Sequence, residues 1–283
     1  MDFEKWHALG NDYVIIEARD LPVDLTPARV RRICAGHTGV FADGILLLSA
    51  PDEPGSVARL RIFNPDGSEA ELSGNGAREA ILYLRRRGWT DADTFSIETA
   101  AGEIRPTITS ETTCTVDMGR ARLKSDDYPD GGEDGSGELT AAARSWRFQH
   151  VQVGNPQCSI RVSGEHELAA LDLPAIGPQI ERSRLFPNRT NVSWFHELSP
   201  GRIRARIFER GAGETMSSGT GAMGAAVTYV LQGGESPVTV VLDGGELEVE
   251  VGEDLHLNLT GWAVPVFRGR LAPEFLEELH AIE

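Results

Sequence analysis

The chain has 283 residues, 40% of them hydrophobic, with a formal net charge of −16. That length suffices for two domains, each with its own core. The acidity excludes nucleic acid and anionic membrane surfaces as partners.

No apolar run approaches the roughly eighteen residues of a membrane-spanning helix. The opening Met1-Asp-Phe-Glu-Lys-Trp6 lacks the basic and apolar regions of a signal peptide. Cys34, Cys114 and Cys158 are an odd and sparse set with no zinc-like spacing. They fit a cytoplasmic protein whose thiols serve as small buried hydrophobes.

From the N-terminus, Phe3–Glu17 reads as a short strand, a turn at Gly10-Asn11-Asp12 and a second strand, Tyr13–Glu17. Thr26–Ala35 reads as a helix with Thr26 as cap and Pro27 in its first turn. Ile45–Leu48 and Ala58–Phe63 are buried strands, and Ala77–Leu84 is an apolar helix. Ser96–Thr99, Glu103–Ile108 and Thr113–Met118 form a meander. Ser125–Glu138 is acidic and Gly-rich, so it reads as a mobile surface loop. Trp146–Val153 is a strand ending at Gly154-Asn155-Pro156-Gln157, and a short helix lies within Leu168–Ile180. Asn191–His196 and Ile203–Phe208 are strands before the apolar helix Ala222–Leu231. Val238–Leu242, Leu247–Val251 and Leu255–Leu259 close a sheet, and Pro273–Ile282 is a last short helix. Strand-rich halves with one long helix each imply an α+β fold.

Two stretches repeat one plan. Arg61-Ile-Phe precedes Glu69 and Ser73-Gly-Asn-Gly-Ala77; Arg206-Ile-Phe precedes Glu214 and Ser218-Gly-Thr-Gly-Ala222. Gly10-Asn11 and Gly154-Asn155 fall at nearly the same offset. Three landmarks at one offset, about half the chain, indicate an internal duplication. In each copy a strand leads through a Gly-rich turn into a helix that begins at a serine. The unpaired N–H groups and dipole of a helix start suit a carboxylate. Serine is also a favoured N-cap, worth about 1 kcal/mol over alanine. The signal therefore lies in the duplication, not in either turn alone.

Five blocks in order carry a family resemblance. They are Lys5-Trp-His-Ala-Leu-Gly-Asn-Asp-Tyr-Val14, Phe63-Asn-Pro-Asp-Gly-Ser-Glu69, Ser73-Gly-Asn-Gly-Ala-Arg78, Val153-Gly-Asn-Pro156 and Glu209-Arg-Gly-Ala-Gly-Glu-Thr215 with Gly219-Thr-Gly-Ala222. Together they resemble the diaminopimelate epimerase family. The resemblance implies two pseudo-symmetric domains, each a curved, mostly antiparallel sheet around a central helix, with the active site in the cleft between them. The corresponding boundaries are 1–118 with 264–283, and 119–263. It also implies a homodimer, an amino-acid-like or carboxylate substrate, and chemistry without pyridoxal phosphate or metal. Asn11, Asn64, Gly74, Asn75, Asn155, Asn191, Glu209, Arg210, Gly219 and Thr220 are carried over as substrate-binding, and Glu209 is read besides as the surviving base.

The sequence departs from the family at its chemical centre. The resemblance implies a cysteine on each side of the substrate α-carbon, one removing a proton and one delivering it. Ser73 and Ser218 stand at those positions. A thiol has a reference pKa of about 8.5 and is easily lowered at a helix start, whereas an alcohol is far weaker. Gln157 stands where the resemblance implies a histidine, and Gly44 where it implies a glutamine. The reading adopted is a cofactor-independent isomerase of a carbon acid with Ser73, Ser218 and Glu209 as catalytic residues. Its alternatives are a diverged or Cys-to-Ser inactivated epimerase that binds an amino acid without racemising it, and a one-base tautomerase or lyase using Glu209. His7, His37 and His150 read as structural, and Asp43 and Asp66 as capping turns.

Overall fold

The chain opens with a tight hairpin. The computed structural model describes residues 1–71 and 73–282; Leu72, inside the first repeat copy, and Glu283 lie outside the described residues. β1 (Asp2–Ala8) and β2 (Asn11–Glu17) are joined by Leu9 and Gly10, both in left-handed backbone at φ 54° and 85°. The expected turn at Gly10-Asn11-Asp12 thus begins one residue earlier. Asn11 and Asp12 already pair with Ala8 and His7, because a two-residue turn with positive φ matches strand twist.

There follow α1 (Pro27–Cys34), β3 (Ile45–Ser49), β4 (Ser56–Phe63), β5 (Glu69–Ala70) and α2 (Gly74–Arg86). Thr26 caps α1 by accepting from the Arg29 N–H at 3.3 Å. The expected strand Glu103–Ile108 is two strands. After β6 (Ser96–Thr99), β7 (Gly102–Ile104) ends before Pro106, which starts β8 (Pro106–Ile108) paired to β9 (Thr113–Arg120). Proline has no N–H to continue a ladder and sits naturally at a strand's first residue.

Then come β10 (Ser136–Ala141), β11 (Arg144–Gln152), β12 (Pro156–Arg161), α3 (Glu165–Ala170) and α4 (Leu173–Glu181). β13 (Asn191–Ser199), β14 (Arg202–Glu209), β15 (Gly213–Thr215), α5 (Gly219–Leu231), β16 (Val238–Leu242), β17 (Gly245–Val251) and β18 (His256–Trp262) follow. β19 (Val264–Arg270) and α6 (Pro273–Ala281) end the chain.

Three sequence expectations are corrected here. Leu168–Ile180 holds parts of two helices rather than one, because Asp172 starts a new one by accepting from the Ala175 N–H at 3.2 Å. β10, β12 and β19 had no strand assigned. Ser125–Glu138 is not a bare surface loop: Tyr128 is buried in the core against Phe148 and Phe186, and β10 begins inside the segment. One aromatic ring outweighs the polar composition around it.

The chain divides into two compact units, Met1–Val116 with everything from Gly261 onward, and Asp117–Thr260. The first unit's sheet runs β19-β1-β2-β3-β4-β6-β7, with β5 on β4. The second unit's runs β10-β11-β12-β13-β14-β16-β17-β18, with β15 on β14. The pairing senses repeat. β2 is parallel to β3, β3 antiparallel to β4, and β4 parallel to β6 and antiparallel to β5. β12, β13, β14, β16 and β15 reproduce that pattern.

Each sheet is covered on both faces, which explains why β2 and β3 read as continuous apolar runs. In the first unit Val14, Ile16, Ile45 and Leu47 pack against α1 and α6 through Val30, Ile33 and Leu279. The alternate residues face α2; a Cβ on Gly76 would stand 3.0 Å from Leu46 Cδ2. In the second unit Ile160, Val192, Trp194 and Phe208 pack against α3 and α4 through Leu168, Leu173, Ile176 and Ile180. α5 lies on the opposite face, where a Cβ on Gly221 would meet Ile207 at 2.7 Å. Both units are therefore α+β, each with a mostly antiparallel sheet around a central helix that begins at a serine.

Candidate active site

In the first unit Ser73 caps α2. Its Oγ accepts from the Gly76 N–H at 3.1 Å and from Tyr13 Oη at 3.2 Å. Gly74 and Asn75 are the first helical residues, where backbone N–H groups have no partner within the helix. Asn75 is buried, and its amide donates to Asn11 Oδ1 at 3.3 Å. Asn11 in turn donates to Asp43 Oδ2 at 2.8 Å, and Asp43 also accepts from the Asp12 N–H at 3.1 Å. Lys5 pairs with Asp12 at 2.6 Å. Arg78, wholly buried, donates to Asn75 Oδ1 and so fixes which way the amide points. Asn64 lies in the turn before β5, donating to Ser68 Oγ at 2.9 Å, and Asp66 caps the Ser68 N–H at 2.8 Å. The structure thus joins Asn11 and Asn75 by a hydrogen bond, while Ser73 bonds to Gly76 and Tyr13 and Asn64 bonds locally.

In the second unit Ser218 caps α5, accepting from the Gly221 N–H at 3.2 Å. Its hydroxyl donates to Glu209 Oε2 at 3.0 Å. Glu209 sits at the end of β14, and its other oxygen accepts from Thr215 Oγ1 at 2.9 Å. Burial holds the Glu209 carboxyl above its ordinary pKa, against the opposing pull of the Thr215 and Ser218 hydrogen bonds. Gly219 and Thr220 open the helix, with Thr220 Oγ1 3.5 Å from Ser218 Oγ. Asn191, nearly fully buried, accepts from the Arg210 backbone N–H at 2.8 Å, while the Arg210 guanidinium donates to the Asn188 carbonyl at 2.7 Å. Asn155 accepts from the buried Gln157 amide at 2.5 Å.

Sequence reasoning missed Tyr13, Arg78 and Thr215. Tyr13 and Arg78 lie inside the quoted blocks but look like ordinary strand and helix residues; only folding brings their polar ends to Ser73 and Asn75. The cysteines supply no alternative nucleophile. All three are buried, and burial pushes the Cys34 and Cys114 thiols up to about 12 and Cys158 upward too. His150 is buried, hydrogen-bonded to Ser125 Oγ at 2.9 Å, and held below its ordinary value by burial. Among the described residues no group of three or more His, Cys, Asp or Glu side chains could hold a metal ion.

The sequence profile named diaminopimelate epimerase matches residues 3–124 and 149–266. The chain belongs to the diaminopimelate epimerase family. The diaminopimelate epimerase of Moorella thermoacetica is 39% identical over 280 residues, covering 95% of this chain and 98% of that one. Membership makes the chain an isomerase. Among solved structures, a probable proline racemase from Agrobacterium radiobacter K84 superposes with a TM-score of 0.69 at 16% identity, over 96% of this chain and 93% of that one. A Bacillus anthracis phenazine biosynthesis protein superposes with a TM-score of 0.67 at 17% identity, over 96% and 99%. At those identities the likeness is one of fold, and the diaminopimelate epimerase family shares that fold with both.

Proposed function

We propose that this family member is a cofactor-independent isomerase that removes the α-proton of a free amino acid or related small carboxylate. The base is Glu209, acting through Ser218. The observation that carries the reading is the Ser218 to Glu209 hydrogen bond in a buried setting. A lone serine hydroxyl is too weak an acid to work as a thiolate would. A serine that gives its own proton to a carboxylate as it receives one from carbon never has to become an alkoxide. Burial that raises the pKa of Glu209 also raises its strength as a base. The helix starts at Gly74 and Gly219 suit the α-carboxylate, whose negative charge grows as the carbanion forms. Asn11, Asn64, Asn75, Asn155, Asn191, Arg210 and Thr220 are the proposed substrate-binding groups, and Ser73 and Ser218 the proposed catalytic hydroxyls.

The test is proton NMR in D₂O with a panel of amino acids, including LL- and meso-diaminopimelate, the substrate for which the relatives are named. Exchange of the α-proton is expected with the unaltered protein. Glu209→Gln should reduce it by roughly 10²- to 10⁴-fold, the range of a general base. If only a Ser73→Cys/Ser218→Cys variant is active, the pocket is a thiol epimerase site silenced at two atoms. If neither protein exchanges any panel member, the amino-acid reading fails.

A further inference from the structure

Asp127 lies in the segment whose composition reads as a surface loop, yet it grips two loops that carry site residues of the second unit. One carboxylate oxygen accepts from the Asn188 amide at 2.9 Å. The other accepts from the Gln152 amide. Gln152 ends β11, just before Gly154 and Asn155. Asn188 lies just before Asn191, and its carbonyl accepts from the Arg210 guanidinium at 2.7 Å. Asn191 accepts from the backbone N–H of the same arginine at 2.8 Å. A single side chain therefore ties the Asn155 loop to the loop that holds Arg210 at both its backbone and its guanidinium.

We propose that Asp127 is a positioning residue of the substrate site, acting through Asn155, Asn191 and Arg210 rather than on the substrate itself. This rests on the reading of those three residues as substrate-binding. A carboxylate is the group this place requires. Asn188 and Gln152 both present N–H donors, and an ionised carboxyl offers only acceptors. Bonds to it are also stronger than those between neutral groups. A neutral amide at 127 could accept from one neighbour only by turning a donor toward the other.

Asp127 is itself held in place. Its N–H donates to Ser125 Oγ at 3.2 Å, and that oxygen lies 2.9 Å from His150 Nε2. Just upstream, Arg122 and Gln152 exchange both backbone hydrogen bonds, at 3.0 and 2.7 Å. Next in the chain, Tyr128 packs on Phe148, His150 and Phe186 with ring centroids 5.3, 5.6 and 5.6 Å apart. Its ring fits because residues 131 and 137 are glycine: a Cβ there would stand 2.3 Å from Tyr128 Cδ1 and 2.4 Å from its Oη. Phe186 and Asn188 belong to one loop, so Asp127 and Tyr128 hold that loop twice, by a charged hydrogen bond and by ring packing. Glu209 takes its own hydrogen bonds from Thr215 and Ser218, and neither runs through this network. Loss of Asp127 should therefore weaken binding and spare the proton-transfer step.

The experiment measures KM and kcat for α-proton exchange of LL-diaminopimelate in D₂O with the intact protein. Asp127→Asn and Asn188→Asp should each raise KM by about tenfold or more, a loss of about 1.4 kcal/mol. In both, kcat should stay within about threefold. The double variant Asp127→Asn/Asn188→Asp again sets an amide N–H against a carboxylate and leaves an oxygen for Gln152. Its KM should return to within about threefold of the unaltered protein. An unmoved KM in Asp127→Asn, a kcat that falls in step with binding, or no recovery in the double variant would each overturn the role of Asp127. None of these touches the Glu209 reading. Absence of exchange in the unaltered protein overturns that reading instead, and amide hydrogen exchange then decides the role of Asp127. In Asp127→Asn the backbone N–H groups of Arg210 and Gly211 should exchange about tenfold faster, while those of β16 to β18 stay within about twofold. Unchanged rates at Arg210 and Gly211, or an equal rise throughout the unit, would overturn it.

Discussion

At the scale of single residues, the behaviour of Glu209 is set by a contest that can be read atom by atom. Burial raises its pKa, while the Thr215 and Ser218 hydroxyls, donating to its two oxygens, lower it. A base works in its deprotonated form, so activity rises as pH climbs through this pKa. Because the net shift is upward, the acid limb of kcat/KM should lie above the ordinary carboxylate range, near 4.3. Thr215→Val keeps the side-chain shape but removes one of the two hydroxyls that favour the charged form. Its acid limb should move to still higher pH, with the plateau rate far less affected than in Glu209→Gln. A limb that stays in place, or moves down, would mean that Glu209 is not the group being titrated.

At the scale of elements, α2 and α5 are duplicates that have solved one packing problem differently. Six residues past its capping serine, α5 carries Gly224, and the space is taken from the sheet side. A Cβ on Gly224 would stand 2.9 Å from Gln157 Cβ and 3.0 Å from Ser159 Oγ. At the matching place α2 carries Glu79, fully buried beside the equally buried Arg78. Burial pushes the Glu79 carboxyl well above its ordinary pKa; Asp12 and Asp43 add to the rise, and Arg78 opposes it. The sign of the linkage follows. At low pH folded and unfolded chains are both protonated at this site, and nothing is lost. As pH passes the unfolded value of about 4.3, the unfolded chain releases its proton while the folded one holds it, so stability falls. Glu79→Gln removes this burden. Its gain in Tm should be larger at pH 8 than at pH 4, and equal gains at the two pH values would show that Glu79 is ionised in the fold.

At the scale of the whole molecule, the duplication was the most legible feature of the sequence. It gave the α+β class, the central helices and their serine starts, because repeated strand–turn–helix motifs are local patterns. What was not legible depends on residues distant in sequence. β12 and β19 are defined by their neighbours, Tyr128 by the core it enters, and the Tyr13 to Ser73 contact by a fold that joins residues 60 apart in sequence. The repeat also shows how one motif acquires unequal weight. Arg61 pairs with Glu69 at 2.8 and 2.7 Å, and Arg206 with Glu214 at 3.0 and 2.6 Å. The first arginine is 42% exposed and has water as an alternative partner. The second is 18% exposed, and its Nη1 also donates to the Leu168 and Leu171 carbonyls at 2.9 and 3.0 Å, closing the C-terminal end of α3. Exposed pairs contribute at most about 1 kcal/mol. Half-buried carbonyls bonded to a cation lose about 1.5–3 kcal/mol when the donor is removed. Denaturant unfolding should therefore show Arg61→Ala costing no more than about 1 kcal/mol and Arg206→Ala about 2 kcal/mol. Arg206→Lys should not recover the difference, because an ammonium cannot span the carboxylate and two carbonyls as the planar fork does. Equal costs for the two alanine variants would mean that α3 is held by its apolar contacts alone.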